Sequence, residues 1–167
     1  MKQNSHKIAV LGLCTAIAMV FAYVEVLLPP LFTAIPGIKL GLPNIVIIFA
    51  LYKMGLKSAA AISFVRIVAV STLFGNPMTF AYSMAGGILS LAAMALLKKL
   101  DILSTVGVSV AGGVLHNAGQ ILMAMLLLGT AELGYYMIVL AITGTISGIL
   151  VGFCGSFAVK RVHIDKF

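Results

Sequence analysis

IAVLGLCTAIAMVFAYVEVLL, residues 8–28, carries one charged side chain, Glu25, in 21 positions. At 1.5 Å per residue a helix of that length reaches about 31 Å, the thickness of a bilayer's hydrocarbon core. The run is longer than the apolar region of a secretory signal. No clear small-residue cleavage site follows it before Pro29-Pro30, so it is expected to be retained as a first membrane span.

Outward from this stretch the pattern repeats. Six apolar runs, at approximately 8–28, 40–52, 57–74, 78–97, 102–128 and 133–159, are separated by residues that punctuate helices. The expected fold is all-α: a single integral membrane domain over residues 1–167, built as a six-transmembrane-helix bundle. The second run is short and has Pro43 near its start, so a tilted or partly re-entrant helix is expected there. Before it, PPLFTAIPGIK at residues 29–39 is too broken by proline to be regular helix.

Composition agrees. Hydrophobic residues make up 62% of the chain and charged residues 9%, with a mean hydropathy of +1.18. Soluble domains average about half apolar and a quarter charged, so the bilayer must cover the surplus apolar surface. At about 20 residues per span, 167 residues accommodate roughly five to seven spans and leave no soluble domain.

With six spans, Lys2, Lys7, Lys53, Lys57, Lys98, Lys99, Lys160, Arg161 and Lys166 share one side, while the other holds Lys39. This asymmetry predicts both termini in the cytoplasm of a multi-pass protein of the cell membrane. It also accounts for the net charge of +7 as topology anchors, without a nucleic-acid partner.

Several chemistries are excluded by the residue inventory. No GxxxxGK[ST] loop is present, so the chain has no P-loop with which to hydrolyse ATP. The acidic residues Glu25, Asp101, Glu132 and Asp165 are scattered, whereas a magnesium-diphosphate site needs clustered carboxylates. No nucleophile–base arrangement is evident, and three separated His residues make no zinc site. Cys14 and Cys154 lie in apolar runs without a CxxC partner and read as small hydrophobic side chains. The expectation is a non-enzyme without cofactor or metal.

Intramembrane polar groups need a reason to be there. Arg66, near the middle of the third run, either pairs with a residue such as Glu25 or meets a wet cavity or an anionic ligand. In the fifth run Gly112, Gly113, His116, Gln120 and Met123 share one helical face, with Asn117 on its flank. A lone His there would read as packing; small residues beside His116, Asn117 and Gln120 read as a binding wall. Lys39, Asn44, Asn76, Tyr82, Glu132, Tyr135 and Tyr136 fall on the outer side. Tyr135 and Tyr136 fit an interfacial aromatic belt, and Asn76-Pro77 fits a helix cap. Small residues at four-residue spacing, Gly12/Ala16, Ala18/Ala22 and Gly144/Gly148/Gly152, allow close helix approach, either within the bundle or against a partner.

The segment PGIKLGLPNIVIIFAL, residues 36–51, together with the small-residue first helix and the six-run layout, resembles the family described as heptaprenyl diphosphate synthase component I, also called the Gx transporter family. That family is similar to the substrate-binding S components of energy-coupling factor (ECF) transporters. The resemblance implies a six-helix bundle that captures a small vitamin-like or isoprenoid- or quinone-precursor-like solute from outside. A transmembrane coupling subunit and two cytoplasmic P-loop ATPases would then drive its uptake. It implies partner docking along Ala18 and Ala22, with Gly12 and Ala16 as an imperfect second match. It places Lys39, His116, Asn117 and Gln120 in substrate-site regions, to which the residues' own chemistry adds Asn44, Arg66, Asn76 and Tyr82. The family label implies an alternative, a non-catalytic membrane accessory of a prenyl diphosphate synthase. An independent secondary carrier is a weaker third reading, since no inverted repeat is visible.

Overall fold

The computed structural model describes residues 2–27, with side chains from Ser5 onward, and residues 41–164. Lys39 and the rest of the proline-broken segment lie outside the described residues. The described helices are α1 (Lys2–Leu27), α2 (Pro43–Lys53), α3 (Leu56–Phe74), α4 (Pro77–Leu100), α5 (Thr105–Leu128) and α6 (Tyr136–Arg161), with a 3-10 turn at Ala131–Tyr135 before α6.

Local chemistry sets the ends. Pro43 and Pro77 occupy the first turns of α2 and α4, where a missing N–H costs nothing. Asn76 caps α4 by accepting the Thr79 N–H at 2.8 Å, and Ser104 caps α5 by accepting that of Gly107 at 3.2 Å. The turn between α2 and α3 is short because Gly55 takes φ +86°, a conformation that side chains disfavour.

Among the described residues five helices are long and apolar enough to cross a membrane, and the chain is a multi-pass membrane protein. Their outward faces carry large apolar side chains such as Leu13, Phe64, Ile88, Leu126 and Phe153, which lipid covers. Helix α2 differs, and the six-span expectation is refined there. Its 11 residues reach about 16 Å, roughly half a hydrocarbon core. Val46 to Leu51 are all buried, the pattern of a helix apolar all round and wrapped by protein. It packs against α1, α3 and α6. Its C-terminal end is held from α4, where Lys98 Nζ donates to Leu51 O at 2.6 Å and lies 5.0 Å from the Tyr52 ring centroid.

Helix α5 lies between α4 and α6, antiparallel to both, and these are the most extensive contacts among the described helices. Glycine makes them possible. A Cβ on Gly113 would stand 2.5 Å from Gly144 O, one on Gly148 2.7 Å from Val110 Cα, and one on Gly119 2.8 Å from Ala85 O. The Gly144/Gly148/Gly152 stripe therefore packs within the bundle. The short turns alternate the helix directions, so Lys53, Lys57, Lys98, Lys99, Lys160 and Arg161 fall at one end of the bundle.

Candidate functional site

The half of the bundle away from those basic residues encloses a cavity of about 70 Å³, room for a handful of waters. All six helices contribute to it. Helix α1 supplies Ala22 and Glu25, and the start of α2 supplies Gly41 and Asn44. Arg66, Ile67, Val70 and Ser71 come from α3, Thr79 and Ser83 from α4. Gly113, His116, Asn117 and Gln120 come from α5, and Ser147 from α6. A second space of about 20 Å³ continues from Gly41, Asn44, Gly113 and Ser147 toward Ser90 and Ser109.

Arg66 defines the chemistry. It is half-buried over its whole length, but its Nε is buried without a hydrogen-bond partner among the described residues. A buried donor left unsatisfied loses about 1–3 kcal/mol, more when charged, so such groups need an explanation. Glu25 is in electrostatic reach of the guanidinium, yet it also serves another structure. Its Oε1 accepts the N–H groups of Gly41 and Leu42, the start of α2. Gly41 presents its N–H there with φ +74°. A carboxylate at a helix N-terminus is also favoured by the helix dipole. The carboxylate thus joins the end of α1 to the beginning of α2 across the segment outside the described residues.

On the α5 wall, Asn117 has a structural duty. Its Nδ2 donates to Leu140 O at 2.8 Å and ties α5 to α6. Gln120 and His116 face α4, where a Cβ on Gly86 would stand 2.9 Å from Gln120 Cγ and 2.7 Å from His116 O. The absence of a side chain at Gly86 makes the room in which these two residues sit.

Of the candidates named from sequence, Asn44, Arg66, His116, Asn117 and Gln120 meet at one cavity. Asn76 and Tyr82 do not line it: Asn76 is exposed and caps α4, and the Tyr82 hydroxyl donates to Met78 Sδ at 3.5 Å. Lys39 lies outside the described residues. The four residues named for docking divide between two faces. Ala18 and Ala22 are buried within the bundle, while Gly12 and Ala16 are exposed and the Gly12 position has nothing within 4 Å. Six residues advance a helix by about 600°, so Gly12 and Ala18 point in different directions. Ser71, Thr79, Ser83 and Ser147 also line the cavity and have no distinctive sequence signal, because a Ser or Thr hydroxyl can satisfy itself on its own helix. Among the described residues no group of three His, Cys, Asp or Glu side chains could hold a metal ion.

No curated protein and no solved structure matches the chain. The sequence model of the family described as heptaprenyl diphosphate synthase component I matches residues 14–158, from the buried Cys14 of α1 almost to the end of α6. With that match over most of its length, the chain belongs to the heptaprenyl diphosphate synthase component I family.

Proposed function

We propose that this protein is a solute-binding membrane subunit, of the kind that captures a small molecule from outside and hands it to separate coupling and ATPase subunits. The observation that carries the reading is the buried Arg66 Nε, without a hydrogen-bond partner among the described residues, in a cavity to which every described helix contributes. The position of the cavity supports it. With the basic end cytoplasmic, as the positive-inside rule expects, the cavity lies in the outer half of the membrane. The sequence has no P-loop, so ATP-driven uptake needs separate ATPase subunits. The exposed strip at Gly12 and Ala16 is a surface on which a second membrane protein could approach α1 closely.

The family description supports a second reading, an accessory that presents an isoprenoid to a prenyl diphosphate synthase. One experiment separates the two. The tagged protein is purified in mild detergent from its native membrane and its partners are read by mass spectrometry. Recovery of a membrane coupling subunit with two P-loop ATPases is the expected result. Recovery of a prenyl diphosphate synthase without ATPases would overturn it in favour of the accessory role.

A further inference from the structure

We infer that the part of the solute held against the described cavity residues is a compact group rich in hydrogen-bond acceptors, and that hydrocarbon such as an isoprenoid chain is not housed there. This deepens the solute-binding reading above and rests on it.

Three observations lead there. The first is the make-up of the wall. Ten of the fifteen described lining residues carry side chains that donate or accept hydrogen bonds, and the other five are Ala22, Gly41, Ile67, Val70 and Gly113. Small-molecule pockets are mostly apolar with a few polar groups; here the proportion is reversed, in a setting where polarity is costly. Hydrocarbon against such a wall would exclude water from the polar groups and return no hydrogen bond. The second is Arg66 Nε, buried without a hydrogen-bond partner among the described residues. A guanidinium donates and never accepts, so the group that meets it must offer a lone pair, as carbonyl, carboxylate and phosphoryl oxygens all do. The third is the space. The cavity of about 70 Å³ is backed toward α6 by main chain, because a Cβ on Gly113 would stand 2.5 Å from Gly144 O. No side chain at that point can rotate aside to admit a longer group. The continuation of about 20 Å³ has room for about one water, and the buried Ser90 and Ser109 stand on its walls. Between the described residues, neither space offers an apolar track for a chain.

The test is native mass spectrometry of the full chain released from its membrane in mild detergent, with two variants that remove hydrogen bonding from the wall. Arg66→Met takes away the guanidinium and keeps an unbranched side chain. Ser83→Ala combined with Gln120→Leu makes the α4 and α5 walls more apolar. Each is compared with the parent once its helical circular dichroism matches, so either variant decides the question if the other fails to fold. The bound small molecule is expected to fall in occupancy by about tenfold or more in both. Its accurate mass is expected to include acceptor oxygen, with phosphorus marking a phosphoryl source and its absence a carbonyl or carboxyl one. Occupancy that is unchanged or higher in either folded variant, or a bound molecule without acceptor oxygen, would overturn the inference while leaving the cavity as a solute site. A parent that carries no bound small molecule would overturn it together with the solute-binding reading.

Discussion

The two halves of this bundle are held together by opposite means. Helices α4, α5 and α6 meet backbone against backbone, through glycines whose missing side chains bring main-chain atoms to within 3 Å of where a Cβ would stand. Helices α1 and α3 meet around α2 through interlocked Ile, Val, Leu and Ala side chains. The difference has a functional consequence. The glycine-packed half can present His116, Asn117 and Gln120 in fixed positions, because its helices have no side-chain slack with which to slide. The half around α2 supplies the charges, Glu25 and Arg66, on helices joined by interlocked apolar side chains. A site between the two has one wall of amide and imidazole groups and one wall that carries the charges.

That contrast can be broken from either side. The largest effect is expected in the interlocked half, where Ile48 is fully buried and its Cγ2 lies 3.0 Å from the Cβ position of Gly155 on α6. Ile48→Ala should lower stability by about 2–5 kcal/mol, whereas Ile48→Val should cost about 0.5–1.5 kcal/mol. Thermal unfolding in detergent followed by circular dichroism checks both, a suitable probe for a chain without Trp.

In the glycine-packed half even one methyl group should be felt. Gly113→Ala would put a Cβ 2.5 Å from Gly144 O, a main-chain atom that cannot rotate away. It should destabilise by about 1–3 kcal/mol despite alanine's better helix propensity. A Gly113→Ala protein as stable as the parent would show that α5 and α6 are not in backbone contact.

A smaller effect is expected for Asn117→Ala. It removes the hydrogen bond to Leu140 O, but Thr143 Oγ1 also donates to that carbonyl, at 3.2 Å. Interhelical hydrogen bonds in membranes average about 0.6 kcal/mol, and the remaining donor keeps this loss near that figure. Smallest of all should be Gly12→Leu on the open face of α1, within about 0.5 kcal/mol in the isolated protein. If α1 docks a coupling subunit along Gly12 and Ala16, the same variant should recover less of that partner on co-purification.

The helices themselves were legible in the sequence, because hydropathy runs and breakers such as Asn76-Pro77 and Gly129 report directly on length and ends. So was the polar face of α5, since His116 and Gln120 stand out against an apolar background. Helix rotation was not. Lipid is as apolar as the bundle interior, so hydropathy does not say that Ala18 faces inward while Ala16 faces out. The role of α2 was half legible: its length warned against a full span, but its burial depends on three other helices. From sequence Glu25 is one possible partner for Arg66, beside a wet cavity or an anionic ligand. Its hydrogen bonds to Gly41 and Leu42 depend on the chain folding back after α1, which no local pattern encodes.

The central claim is that the cavity between these two halves holds a solute. The most direct measurement is native mass spectrometry of the protein released from its membrane in mild detergent, comparing the parent with a variant carrying Arg66→Ala, His116→Ala and Gln120→Ala. The account predicts a small-molecule adduct on the parent that the triple variant loses while keeping its helical circular dichroism. An adduct retained at the parent's occupancy by the folded triple variant would contradict it.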